Sequence, residues 1–420
     1  MTSLARFLSD KGIKVVVVSA FDNRPIEPGR QLLPQIIAVP VRRPRAVFLD
    51  ALVALKRRFV ARTDSPSEPT NHLSSAVPSR RRPLRELYFR LVYFVDDYKE
   101  WSRRAAVVAT RAAKEHGASV VFASGPPHSA LVAGAWVARQ LGIPFVADLR
   151  DPWSDHLAWA FPFRALEIAL LRRLEQRVLD RAAAITSTGA MVAKLLCERN
   201  ESFRSRVHLI RNGYDGPLNL STGVTGGRLE ILFAGELYVG RDPFPFLSAL
   251  ESLLSDPAID PARVKVTFMG RVESYAGQSL ARWVEGKRCA RVVKILPPQP
   301  PEAVAAAAAD STVLLNLAQG QQLSVPAKTY EHLASGREIL LLCEDDCETA
   351  QLVAGIPGVN QVDATNFSAL TAMLRSLYDR HVRAGKLTSP AESDISRFSR
   401  QAANAAFLEV LQTVVSSAPV

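Results

Sequence analysis

The sequence predicts an α/β protein made of two doubly wound domains, each a parallel sheet with helices on both faces. Three observations carry that prediction. Short β-branched runs alternate with helix-like segments, the pattern of strand–helix–strand units. The alternation occurs twice, in two series separated by a stretch without apolar periodicity. At 420 residues the chain also exceeds what one hydrophobic core usually holds, while 48% hydrophobic and 22% charged residues fit a globular rather than a disordered chain.

The elements follow in order. "SLARFLSDKGIKVVVV" reads as a helix leading into a strand, with no first strand and Gly-rich turn ahead of it, the unit that normally opens a doubly wound nucleotide fold. Either the start codon lies downstream of the natural one, or the domain is built without that unit. "IKVVVVSA", "ASVVFAS", "IPFVADL", "AAAITST" and "RVHLIRN" then supply strands, which puts the first domain at residues 1–215. Inside it, "TDSPSEPTNHLSSAVPSRRRP" reads as a mobile basic insertion at about 62–83. "NGYDGPLNLSTGVTGGRLE" lacks apolar periodicity and places the linker at 216–228. "LEILFAG", "VKVTFMG", "VVKILP", "STVLLNLA" and "EILLLCE" define a second domain at 229–390. The remainder, 391–420, carries apolar residues at helical spacing in "ISRFSRQAANAAFLEVLQTVV" and predicts a terminal helix that packs back on the body.

Composition narrows the function classes. Four cysteines, Cys197, Cys289, Cys343 and Cys347, are too few for a disulfide framework and lack the second Cys or His pair of a metal site. The start has no long apolar region with a cleavage site, and no later run reaches the roughly twenty residues of a spanning helix. A cytoplasmic protein is expected. The formal charge of +11 is concentrated in "VRRPRAVFLDALVALKRRFVAR" and "PSRRRPLRELYFRLVYF", clusters suited to phosphate-rich partners. No recognition motif for nucleic acid accompanies them.

Ligands of open α/β sheets bind beyond the carboxyl ends of strands, so motifs at strand exits count most. In "VVFASGPPHSALVAG" a Pro-restricted turn opens a helix, with Ser129 a candidate N-cap and His128 directed from the helix start. A solvated or capping histidine is the competing reading. "VADLRDPWSD" ends an apolar strand with Asp148, Arg150 and Asp151. Such a trio can abstract a proton, position a hydroxyl, or pair to hold a loop over Trp153. "EILFAGELYVGRDPFPFLSALESLL" offers Gly235, where a backbone can approach closely, and Arg241, suited to a diphosphate. In "SVPAKTYEHLASG", Lys328 and Glu331 stand at i, i+3 on one helix face, as a phosphate-binding cation with a ribose-binding carboxylate or as a surface salt bridge.

In this order, "YFVDDYKEWSRRA", "ASGPPHS", "PFVADLRDPW", "HLIRNGYD", "FAGELYVGRDP" and "PAKTYEHLASG" resemble the GT-B glycosyltransferases, in particular the family-four-like group of bacterial surface-polysaccharide and exopolysaccharide biosynthesis. The resemblance runs from about residue 4 to the end of the chain. It implies two Rossmann-like domains facing a cleft. It also implies a nucleotide-sugar donor held by Gly235, Arg241, Lys328 and Glu331, and an acceptor faced by Asp151, His128 and Asp148. Metal-independent transfer without a cofactor is implied as well, with basic side chains neutralising the leaving diphosphate. Glu331 matches the second of the paired glutamates often found in the group, while Leu323 stands at the position of the first.

The expected activity is transfer of a sugar from a nucleotide diphosphate to a hydroxyl of a lipid-linked or growing saccharide, with retention of configuration. Arg150 with Arg81, Arg82 and Arg85 of "RRRPLRELYFRLVYF" would serve the acceptor and an anionic inner-leaflet surface, making the enzyme peripheral to the membrane. Two other classes stay open: a UDP-sugar epimerase of the same two-domain design, and a truncated, non-catalytic nucleotide-binding relative.

Overall fold

The computed structural model describes residues 2–21, 35–42, 95–155, 165–218 and 227–417. The chain divides into two compact units, one of Met1–Ser187, Cys197–His208 and Phe407–Val420, the other of Thr188–Leu196 and Leu209–Ala406.

In the first unit, helix α1 (Thr2–Asp10) precedes β1 (Val15–Phe21) and β2 (Ile36–Arg42), which pair in parallel with Val15 opposite Ile36. Helix α2 (Lys99–His116) covers them: Trp101 packs with Ala105 on Val18 and Val41, and its indole N–H donates to the Val41 carbonyl at 3.0 Å. The chain continues through β3 (Val121–Gly125), α3 (Ser129–Leu141), β4 (Phe145–Leu149), α4 (Ala165–Leu179), β5 (Ala184–Ser187), α5 (Ala190–Arg199) and β6 (Val207–Leu209). The second sheet has the order β3-β4-β5-β6, and among the described residues it is separate from the β1–β2 pair. Every residue of β4 is buried, as expected of a strand covered on both faces.

The second unit holds a six-stranded sheet of parallel neighbours in the order β11-β8-β7-β12-β13-β14. These are β7 (Leu229–Glu236), β8 (Val264–Arg271), β11 (Val293–Leu296), β12 (Val313–Leu317), β13 (Glu338–Leu342) and β14 (Val359–Val362). The two-residue strands β9 (Ser274–Tyr275) and β10 (Gln278–Ser279) form a hairpin whose turn residues Ala276 and Gly277 both have positive φ, the two-residue turn that matches strand twist. Starting centrally, the chain winds first to one side through β8 and β11 and then to the other from β12. That is the doubly wound order, and its switch point lies between β7 and β12. One face of the sheet is packed by Phe233, Phe246, Phe268, Leu250 and Leu374; the other by Tyr330, Leu333, Leu341 and Phe398. The helices that cover it include α6 (Phe244–Leu253), α7 (Pro301–Asp310), α8 (Ala327–Ala334), α9 (Glu348–Val353) and α10 (Phe367–Tyr378).

The units do not divide at the single cut near 215 that the sequence suggested. Residues 188–196 and 209–215 belong with the second unit because Glu348, fully buried at the start of α9, binds both. Its carboxylate accepts the Ala190 and Met191 amides at 2.8 and 2.6 Å and the Arg211 guanidinium at 2.7 Å. The Tyr214 backbone is tied in turn to Phe398 and Arg400. The last helix, α11 (Arg400–Ser416), starts later than residue 391 because the Ser399 hydroxyl caps it, accepting the Ala402 amide at 3.1 Å. From Phe407 onward it belongs to the first unit, where Phe407 meets Phe122 edge-to-face at 5.6 Å.

Candidate active site

At the carboxyl end of β7, Gly235 admits a side chain that any other residue would block. A Cβ there would collide with the Lys328 ammonium, which donates to the Ala234 carbonyl. Gly270, at the end of the neighbouring strand, has φ +129° and lies so close to the Gly235 carbonyl that no side chain fits. Two glycines thus let backbone and cation converge at the switch point.

Arg241 arrives from the loop after β7. The loop turns at Tyr238–Arg241, with the Arg241 amide donating to the Tyr238 carbonyl at 2.8 Å and Gly240 at φ +86°. The guanidinium lies 4.3 Å from the centre of the Tyr238 ring, and Nη1 reaches the Glu236 carbonyl at 3.4 Å; Nε is buried without a hydrogen-bond partner. Burial lowers the pKa of Arg241. Burial, then the nearby Arg241 charge, lower that of Lys328, opposed by the Glu331 carboxylate. His332, on the same helix α8, is held neutral with a pKa of about 3 by burial and by the Lys328 and Arg241 charges, and its Nδ1 has no partner. Two partly buried cations, one of which lowers the pKa of the other, beside a neutral imidazole make a place that an anion would stabilise. Lys328 and Glu331 do share α8, but the ammonium turns inward to Ala234 while Glu331 is exposed.

In the first unit, the "SGPPHS" turn leads from β3 into α3. Gly125 is needed there, since a Cβ would press on His128 and Leu131 at about 3 Å. His128 occupies the N-cap position but makes no capping bond with its side chain. Nor does Ser129 cap the helix as expected. Its amide and hydroxyl both donate to the Asp96 carboxylate, each at 2.7 Å, so Asp96 closes the helix start. The His128 ring stacks on Trp153 at 5.1 Å, and its Nε2 lies 3.4 Å from the Asp151 carbonyl oxygen.

The three charges of "DLRD" separate. Asp148 is buried and accepts the Ser124 and Thr186 hydroxyls, each at 2.7 Å, with Arg150 at 3.8 Å. Burial raises its pKa; Arg150 and the two hydroxyls oppose that. Its oxygens thus bind β3, β4 and β5 together. Asp151 is exposed at the following turn, beside His128. The loop that carries Asp151 is fastened further on. Arg199 pairs with Asp155 at 2.7 Å and Glu175 at 3.0 Å, and Ser154 hydrogen-bonds Glu175. The loop clamp read from the sequence therefore exists, but Arg199, not Arg150, is its centre. Asp96, Arg199, Glu348, Tyr238 and His332 escaped the sequence reading. Of these, only Tyr238 had a local signal, an aromatic three residues ahead of an arginine across a glycine. Arg81, Arg82 and Arg85, the insertion at 62–83 and linker residues 219–226 lie outside the described residues.

Among the described residues, no group of three or more His, Cys, Asp or Glu side chains could hold a metal ion. No helix among them is long and apolar enough to cross a membrane.

Two α/β units with parallel sheets, the second doubly wound with a cation pair at its switch point, define the chain as a GT-B fold protein. It belongs to the glycosyltransferases of the glycosyl transferase 4-like domain family, whose model matches residues 1–213, a little over half of the chain. Among solved structures it is similar to a glycosyltransferase from Rickettsia africae, with a TM-score of 0.55, 11% identity and coverage of 99% of this chain and 94% of that one. It is also similar to Anabaena HepE, solved in complex with UDP, at TM-score 0.54, 15% identity and coverage of 74% and 82%. A third similar structure is an α,α-trehalose-phosphate synthase (UDP-forming) from Burkholderia xenovorans, solved with glucose-6-phosphate, at TM-score 0.53, 12% identity and coverage of 74% and 78%. At these identities the likeness is one of fold. Curated protein sequences give no match.

Proposed function

We propose that the protein transfers a sugar from a nucleotide-diphosphate donor to a hydroxyl of a lipid-linked or growing saccharide during cell-surface polysaccharide synthesis. The observation that carries the donor half is the convergence of Arg241 and Lys328 at the glycine-opened end of β7, both with lowered pKa. In this reading a diphosphate supplies the counter-charge, and Glu331, exposed three residues along the same helix, binds ribose hydroxyls. HepE, of similar fold, was solved with UDP and with UDP-glucose, which supports a nucleotide donor.

In this reading the donor's anomeric C–O bond breaks and the diphosphate leaves toward Arg241 and Lys328. The acceptor oxygen bonds to the same face of the sugar, and its proton passes to the departing phosphate oxygen. The cations stabilise charge that grows in the transition state, so the reaction needs no metal. Asp151 and His128 order the acceptor hydroxyl; in an inverting variant of the reaction Asp151 would be the base. Arg150 and the basic segment around Arg81, Arg82 and Arg85 would meet the acceptor and the anionic surface that presents it, with the protein peripheral to the cytoplasmic face of the membrane.

The test is a screen of UDP- and GDP-sugars against a lipid-extract acceptor, with and without EDTA, and with the anomeric configuration of the product read by NMR. Transfer that survives EDTA and retains configuration is expected. Sugar conversion without any acceptor would identify an epimerase instead, and nucleotide binding without turnover a non-catalytic relative.

A further inference from the structure

Arginine at a phosphate site loses affinity when its long side chain must be ordered at the moment of binding. Here the ordering is built in. The turn is pinned from both sides: Gly240 leaves no room for a Cβ against the Gln319 carbonyl, Gln319 Nε2 donates to the Asp242 carbonyl at 2.8 Å, and Asp242 caps the Phe244 amide at 2.9 Å. On this fixed backbone Tyr238 presents its ring to the Arg241 guanidinium at 4.3 Å. Tyr238 is 47% exposed and its neighbour Val239 65% exposed, so the ring is no part of the core. The ring faces the Arg241 cation.

We infer that Tyr238 is a positioning residue of the donor site, holding the Arg241 guanidinium in the conformation that receives the diphosphate. The inference rests on the donor reading above. A cation over an aromatic face is attracted to it, the more so where water is excluded. Affinity for any diphosphate should therefore depend on the ring, whatever base or sugar the donor carries.

Titration calorimetry with inorganic pyrophosphate, UDP and GDP tests this on the full chain. Tyr238→Leu, which keeps apolar bulk without a π face, should weaken the three ligands alike by about three- to tenfold, with the melting temperature unchanged because the side chain is half in solvent. Tyr238→Phe should restore binding to within about twofold of the parent protein. In an Arg241→Ala background, Tyr238→Leu should cost nothing further, since the ring then has no guanidinium to hold. Unchanged affinity in Tyr238→Leu overturns the inference. So does a loss confined to the nucleotides, or one that persists in full beside Arg241→Ala, because either means that the ring touches the ligand directly. Undiminished pyrophosphate binding by Arg241→Ala alone refutes the donor reading itself.

Discussion

At the end of β4, Asp148 is buried among donors that satisfy it; at the end of β7, Arg241 and Lys328 are partly buried beside the neutral His332, hydrogen-bonded to carbonyl oxygens but in no ion pair among the described residues. Both strand exits gather charge, and the sequence reading assigned both to the site. Asp148 has each oxygen engaged by a hydroxyl, from Ser124 and from Thr186. Its network is closed, and a closed buried network fixes architecture. Arg241 Nε and His332 Nδ1 are buried without partners. Buried polar atoms without partners beside two close cations cost stability that a bound counter-ion returns. The contrast separates a carboxylate that builds the sheet from cations that have only carbonyl acceptors among the described residues.

Breaking the closed network should give the largest effect. Asp148→Ala strands the Ser124 and Thr186 hydroxyls in the buried sheet, removes an ion-pair partner of Arg150, and is expected to lower unfolding free energy by about 4 kcal/mol. Urea denaturation measures it, and a loss near zero would mean that the network is not closed. A second closed network tests the same point through pH. Burial alone would raise the pKa of Glu338, but hydrogen bonds from His381, Arg380 and the Thr388 amide hold it at about 2. A carboxylate depressed on folding stabilises fully above its unfolded value, and that stability is lost as pH falls toward the folded one. Roughly 3 kcal/mol should therefore disappear from the ordinary carboxylate range down to about pH 2, and Glu338→Gln should flatten the profile. Asp148, raised on folding, slopes the other way, its contribution weakening as pH rises past the usual carboxylate value.

Opening the open network further should cost binding rather than stability. Lys328→Met removes a partly buried cation while keeping its volume. A hundredfold loss in UDP affinity, about 2.7 kcal/mol, should come with a melting temperature that holds or rises. A marked fall in melting temperature would place Lys328 among the architectural residues, beside Asp148. Smallest of all, Asp151→Ala should alter stability by no more than about 0.5 kcal/mol, as an exposed carboxylate, while transfer to the acceptor drops. Transfer equal to the parent's would remove Asp151 from the acceptor reading.

Much of the second unit was legible because its strands are short apolar runs with glycines at their exits. "LEILFAG" and "VKVTFMG" fall on β7 and β8, and the glycines that end them are those that open the pocket. Lys328 stood out in the sequence because it shares a helix turn with Glu331, and the structure brings it to the end of β7. The order of the strands could not be read, since periodicity reveals a strand and not its neighbour. Nor could the role of Asp148, which is set by Thr186, 38 positions away in the chain. The same holds for Arg199 and Glu348, whose partners lie up to 45 and 158 positions away. Ion pairs over such separations leave no local pattern.

Glu348 has a practical consequence for anyone who wishes to exchange donor preference between relatives of this chain. A fragment cut at the apparent linker, beginning near residue 229, would carry a fully buried carboxylate stripped of the Ala190 and Met191 amides and of Arg211. Grafts of the second unit should therefore bring Thr188–Leu196 and the 209–218 segment with them, although the first lies some forty residues upstream of the seam that the sequence advertises. The transplantable module is discontinuous along the chain, and its borders follow hydrogen bonds rather than composition.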